Sequence, residues 1–158
     1  MMNHLTVSSS PHIHSDESIS RIMLDVVLAL VPAIVAAAYF FGGRVLLIIG
    51  ISVLTAVVTE AIIQKLAKKP VTINDWSAVV TGVLLAFNLS PTVPLWLPMV
   101  GSIIAIALVK QVFGGLGHNF MNPALAARAI LLAAWPVLMT TWVKPGVDAI
   151  STATPLAI

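Results

Sequence analysis

LDVVLALVPAIVAAAYFFGGRVLLIIGISVLTAVVTEAIIQKL, residues 24–66, is the stretch on which the fold turns. Its charged side chains are Asp25, Arg44, Glu60 and Lys65, and all else except a few small hydroxyls, Gln64 and Pro32 is apolar. A helix rises about 1.5 Å per residue and a bilayer core is about 30 Å thick, so about 20 apolar residues make one crossing. Two such runs lie here, residues 24–41 and 45–66, reversed by Gly42-Gly43-Arg44. The reading is a membrane helical hairpin.

The whole chain has the same character. Of 158 residues 59% are hydrophobic and 9% charged, with a mean hydropathy of +1.04. Soluble domains carry about a quarter charged residues, so this chain cannot cover a surface facing water and its solvent is lipid. A net charge of +2 is too small to suggest nucleic acid. There is no cysteine, which excludes disulfides, thiolate zinc sites and cysteine-bound iron–sulfur clusters within the chain. Electrons passing through it would need an organic carrier.

Beyond the hairpin, a basic loop with Lys65, Lys68 and Lys69 leads to three further apolar segments at 77–89, 95–109 and 124–142. The first of these is short for a crossing, and Pro123 suits the first turn of the last. The expected fold is an all-α integral membrane protein of about five transmembrane helices. It comprises a polar tail over 1–21, a helical domain over 22–143 and a polar turn over 144–158 that leads into a missing second half. An odd number of spans is what one half of an inverted-repeat bundle contains. Arg21, Lys65, Lys68, Lys69 and Lys110, with Arg128 near them, fall on one side, against Arg44 and Lys144 on the other. The positive-inside rule then predicts a cytoplasmic N-terminus and an outward-facing terminal turn. A re-entrant 77–89 segment would reverse everything after it.

Several polar residues have competing readings. Arg128, among the small residues Ala126, Ala127 and Ala129, either snorkels to the cytoplasmic interface or pairs with an anionic cofactor or a carboxylate, Asp25 or Glu60. Asp25 follows Arg21 by four residues, on one helix face. Glu60 reaches Lys65 or lines an ion path, and Lys110 reads as an interfacial anchor. The glycine-rich loop 114–122 is either a tight reversal or a cradle for a phosphate or flavin edge. Its Asn119 and Asn122 are costly against lipid and face the protein interior. His12 and His14 are too few for a metal site, and no metal centre is expected. Trp76, Trp96, Trp135 and Trp142 suit an interfacial belt, Trp135 lying deeper.

The terminal stretch Asp148-Ala149-Ile150-Ser151-Thr152-Ala153-Thr154-Pro155 offers hydroxyls on one side of the membrane. Such residues often just make turns and caps. Combined with Gly114-Gly115-Leu116-Gly117-His118-Asn119-Phe120-Met121-Asn122-Pro123-Ala124 upstream, it resembles the D-type membrane component of Rnf electron-transport complexes and its relative, the B-type component of sodium-pumping NADH:quinone reductases. Ser10-Pro11-His12, Asp25, the Asp75–Ala86 stretch and Met139-Thr140-Thr141-Trp142 carry the resemblance across nearly the whole chain.

That resemblance implies a membrane subunit, inactive alone, of an ion-translocating oxidoreductase linked to ferredoxin or NADH. Thr154 would carry FMN through a phosphoester bond made by a separate flavin transferase, and electron transfer would be coupled to Na+ or H+ movement. The family text there is Ser/Thr-Gly-Ala-Thr. Thr152 stands where Gly is common, which leaves Ser151 and Thr152 as alternative acceptors. Asp148, Asn119, Asn122 and Arg128 are the further candidate cofactor contacts, and no catalytic residue is assigned. A second, noncovalent flavin such as riboflavin is compatible with the family. Expected partners are iron–sulfur and flavin subunits and membrane lipid, in a multi-pass subunit of the bacterial or archaeal plasma (inner) membrane. The competing function is half of a transporter or channel without a redox cofactor, since Pro- and Gly-interrupted segments also line transport sites.

Overall fold

The computed structural model describes residues 18–143 and 151–152. Helix α1, Ile19–Phe41, begins where the Ser18 hydroxyl accepts from the Arg21 amide at 3.3 Å, and ends at Gly42, whose φ of 78° breaks the helix. It therefore takes three residues from the expected polar tail. Helix α2, Gly43–Leu66, starts at once, so the reversal is one residue rather than three. These two helices are long and apolar enough to cross a membrane.

The other helices are shorter. Helix α3 is Ser77–Phe87. Helix α4 covers Trp96–Ile103 and continues as a π-helix over Ile104–Gln111. Helix α5 is Pro123–Ala134 and α6 is Pro136–Met139. The continuous helix expected over 124–142 is broken at Trp135, because Pro136 lacks an amide hydrogen and disfavours helical backbone in the residue before it. One small departure from an all-helical chain occurs. Strands β1, Trp142–Val143, and β2, Ser151–Thr152, pair antiparallel, Trp142 with Thr152 and Val143 with Ser151.

Connections fix which ends lie together. Ser20 Oγ donates to Asn74 O at 3.1 Å, tying the start of α1 to the α2–α3 connection. At the other end, Arg44 Nε and Nη2 donate to Pro91 O and Val93 O, each at 3.0 Å, so the α1–α2 turn clasps the α3–α4 connection. Helix α3 thus connects the two ends that these hydrogen bonds define. The Trp96 and Trp135 rings meet edge to face at 5.2 Å, so Trp135 lies at the Gly42 end and not deep in the bundle.

The interior forms where α2, α3 and α4 approach through small residues. Ala56, Ala78 and Ser102 are fully buried, and Ser102 Oγ donates to Ser52 O across the α2–α4 contact at 2.9 Å. A Cβ on Gly82 would lie 2.7 Å from Val53 Cα. Small residues at such crossings let dispersion contacts hold helices where lipid removes the hydrophobic drive. Helix α1 has no buried residue and leans on this core through Leu30, Ile34 and Ala37.

Gly82→Val is accordingly expected to force α2 and α3 apart at backbone level and to cost roughly 1–3 kcal/mol. Denaturant unfolding in mild detergent measures this; a wild-type midpoint would show that the helices do not meet there.

Candidate functional site

Two polar assemblies lie at opposite ends of the bundle. At the Gly42 end, Arg128 leaves α5 and its Nη1 donates to Asn88 Oδ1 at 2.7 Å. Asn88 closes α3, and its own Nδ2 donates to Leu84 O at 2.7 Å, which turns the amide oxygen toward the guanidinium. Arg128 is half-buried. Of the five N–H donors a guanidinium offers, one has a partner among the described residues. Beside it opens a cavity of about 260 Å³. Phe41, Val45, Pro91, Met139 and Val143 give it apolar walls, and Asn88, Ser90 and Thr141 add polar atoms. Val143, in that wall, is the residue that β2 pairs with through Ser151. The hydroxyl-bearing segment is thereby tied to the cavity margin.

At the other end lies a buried ion pair. Lys110 Nζ, in the last turn of the π-helix, donates to Glu60 Oε1 and Oε2 at 2.7 and 2.8 Å, and both residues are 1% exposed. Lys110 also donates to Ser77 Oγ, which in turn donates to Asp75 Oδ1. Gln111 Nε2 and Gln64 Nε2 donate to Glu60 Oε1 at 3.0 and 3.2 Å. Gln64 further holds Thr72, accepting from its amide and donating to its hydroxyl, both at 2.9 Å. Each charge thus has hydrogen bonds beyond its ionic partner, as ions withdrawn from water require.

The glycine-rich loop caps this end. Gly114, Gly115 and Gly117 have φ of 109°, 98° and 87°, and the Gly115 amide donates to Lys110 O at 2.9 Å. Turned to satisfy its amide, Asn119 donates to Lys110 O and Gly115 O at 3.2 and 3.1 Å. Asn122 Oδ1 accepts from the Ala124 and Leu125 amides and caps α5. The loop is a helix-terminating reversal.

Of the residues singled out from sequence, Arg128, Ser151 and Thr152 are brought to the Gly42 end. Asn119 and Asn122 are not: they sit beyond the start of α5, whose 12 residues rise about 18 Å. Thr154 and Asp148 lie outside the described residues, as do His12, His14, Lys144 and most of the 1–21 tail. Arg128 neither snorkels nor meets Asp25 or Glu60. Asp25 is exposed on α1 and Glu60 is committed to Lys110. The expected Glu60–Lys65 and Arg21–Asp25 pairs are absent among the described residues, where Lys110–Glu60 is the salt bridge formed. Lys110 is no interfacial anchor. One signal was present in the sequence: two ionisable residues within apolar runs most often face each other. Asn88 gave no such signal, since a polar residue before Ser90-Pro91 reads as part of a turn.

The chain matches, over residues 6–158, the model of a family described as NQR2, RnfD, RnfE. It is 60% identical over 156 residues to the D-type component of the Na(+)-translocating ferredoxin:NAD(+) oxidoreductase complex of Acetobacterium woodii, covering 98% of this chain and 49% of that protein. It is 50% identical over 159 residues to the D-type component of the proton-translocating ferredoxin:NAD(+) oxidoreductase complex of Clostridium ljungdahlii, at 99% and 48% coverage. With the D-type component of the ion-translocating oxidoreductase complex of Shewanella amazonensis it shares 41% identity over 149 residues, at 93% and 43%. The chain spans about half the length of the curated relatives it matches.

Removing one member of the buried pair, by Glu60→Gln or Lys110→Met, is expected to cost about 3–5 kcal/mol by stranding the other charge. The double change Glu60→Met with Lys110→Met should recover most of that loss. Unfolding midpoints of the three variants in detergent check it, and additive losses would mean the two residues are not coupled.

Proposed function

The chain belongs to the NQR2, RnfD, RnfE family, and from that premise we propose that it is the membrane subunit of an ion-translocating electron-transport complex, carrying FMN on Thr154. Its partners are iron–sulfur and flavin subunits that pass electrons between ferredoxin or NADH and an acceptor such as NAD or quinone, coupled to Na+ or H+ transfer. It lies in the plasma (inner) membrane with α1 to α5 crossing, and is not active alone.

What supports the flavin reading is the pairing of β2 with β1, which draws the Ser151–Thr152 segment to the margin of a cavity holding an arginine. A guanidinium, an amide, hydroxyls and apolar walls form a donor set compatible with a planar, anionic group. In maturation the Thr154 hydroxyl attacks the flavin-side phosphorus of FAD. A Thr O–P bond forms, the pyrophosphate P–O bond breaks, AMP leaves, and the hydroxyl proton passes to a base of the transferase. FMN so held supplies one- and two-electron transfer, while the protein sets its position and electrostatics. The tether keeps it at high effective concentration without tight reversible binding.

The orientation has support in the refined charge count. Lys110 is buried in its pair and Arg128 is half-buried and held by Asn88, so neither is counted as an interfacial cation. Among the described residues Arg21, Lys65, Lys68 and Lys69 remain at one end against Arg44 at the other, which favours an outward-facing Gly42 end. The breaks at 88–95 and at Trp135 also suit a transporter half without a cofactor. A covalent flavin separates the two readings.

In-gel flavin fluorescence of denatured protein, made with and without a flavin transferase, is expected to show a band that needs the transferase and is lost in Thr154→Ala. A dark wild-type band beside an active transferase would leave the transporter reading, and a flavin peptide ending at Thr152 would move the acceptor. Ala149→Cys should react with impermeant thiol reagents from outside intact cells, and reaction only after permeabilisation would invert the orientation.

A further inference from the structure

We propose that the last turns of α4 are a register switch. The π-helical segment Ile104–Gln111 rewinds by one residue into α-helix, which carries the Lys110 ammonium from its enclosed place to the wall of the cavity at that end. The switch does not depend on the flavin reading and would stand without it.

The winding comes first. Each i→i+5 bond of a π-helix encloses one residue more than the i→i+4 bond of an α-helix. Along this segment Leu108 faces outward, while Ala105, Ile106, Val109 and Lys110 are buried. Rewinding passes the surplus residue forward along the chain. Val109 then takes the place of Lys110, and Lys110 takes the place of Gln111.

Those two places adjoin the same carboxylate. Lys110 Nζ donates to Glu60 Oε1 and Oε2 at 2.7 and 2.8 Å, and Gln111 Nε2 donates to Oε1 at 3.0 Å. An ammonium moving from the first place to the second keeps a Glu60 oxygen beside it, so the shift strands neither charge. What changes is the surroundings. Lys110 is 1% exposed and donates to Ser77 Oγ. Gln111 instead lines a cavity of about 350 Å³, with Glu60, Lys69 and Asp75 as the charged residues in its described wall.

The chain on either side suits the shift. Upstream, α4 is fixed: Ser102 Oγ donates to Ser52 O at 2.9 Å, and a Cβ on Gly101 would lie 2.8 Å from Leu131 Cδ1. Downstream, the residue passed forward enters the glycine-rich loop. Gly114, Gly115 and Gly117 hold φ of 109°, 98° and 87°, backbone that glycine adopts without steric cost. A Cβ on Gly115 or Gly117 would meet nothing within 4 Å, so the loop has room to lengthen while Asn122 still caps α5.

Hydrogen bonding sets which register rests. In the π register Lys110 holds Glu60 and Ser77, and Gln111 completes Glu60. In the rewound register the backbone returns to the commoner α-helix, but Val109 stands against the Ser77 hydroxyl. The π register is therefore the resting one. A cation enters or leaves the cavity wall as the segment winds, and a ligand that distinguishes the two walls shifts the balance.

The test uses the full-length protein in its assembled complex in mild detergent. Exchanging two residues, Val109→Lys with Lys110→Val, puts the lysine where only the rewound register brings it to Glu60 and Ser77. The precipitation midpoint of this subunit on heating is expected to recover most of the loss seen in Lys110→Val alone. A midpoint no higher than that of Lys110→Val overturns the switch. Deleting Leu108 removes the surplus residue and fixes Lys110 in its enclosed place. The deletion should leave the wild-type midpoint nearly unchanged and abolish the rescue in the exchanged variant. A deletion that unfolds the chain, or a rescue that survives it, rejects the register shift. Winding in the native chain is read by reductive methylation with formaldehyde and borane, followed by mass spectrometry. Lys110 should be modified several-fold faster in the wild type than after deletion of Leu108, and equal rates overturn the switch. Should the exchanged variant not insert, this comparison decides.

Discussion

The Lys110–Glu60 pair is the constraint around which the bundle is arranged. It joins α2 to the π-helical end of α4 and, through Ser77, to the start of α3. Both charges are almost wholly withdrawn from solvent, so they persist only with near-complete hydrogen bonding. Gln64 and Gln111 supply the remaining donors to Glu60. The π-helix belongs to the same arrangement. Wide turns of this kind are rare and concentrate at functional sites, and here one ends with two consecutive side chains, Lys110 and Gln111, on the same carboxylate.

From that anchor the rest of the packing follows. With α2, α3 and α4 held at the far end, the small residues around Gly82 let α3 lie close against α2, and Arg44 clasps the α3–α4 connection at the Gly42 end. This close approach carries Asn88 to where α5 delivers Arg128. The same fold thus treats its two interior cations in opposite ways. Lys110 is neutralised and enclosed, whereas Arg128, among the described residues, is held by a neutral amide and lines a cavity.

Much of this was legible in the residues. The two long helices, the glycine reversal, the helix start at Pro123 and the asymmetry of Lys and Arg come from hydropathy, length and local backbone preference, which act over a few residues. The break at Trp135 was also local, in Pro136, but the apolar run around it hid the signal. The candidate site was legible only in part. Arg128 stood out as a charge in an apolar helix, yet its partner did not, because Asn88 lies 40 residues away in sequence and carries no periodic mark.

Sequence by itself determined that lipid is the solvent, where most helices begin and end, and which few polar side chains had to find partners inside. Only the tertiary structure decided which partners they found: Glu60 with Lys110 rather than Lys65, Arg128 with Asn88 rather than Asp25 or Glu60, and Asn119 and Asn122 with backbone at the far end. The reason is physical. Hydropathy and capping are properties of neighbouring residues, whereas the pairing of buried polar groups depends on how closely helices approach, set here by a glycine on one helix meeting the backbone of another.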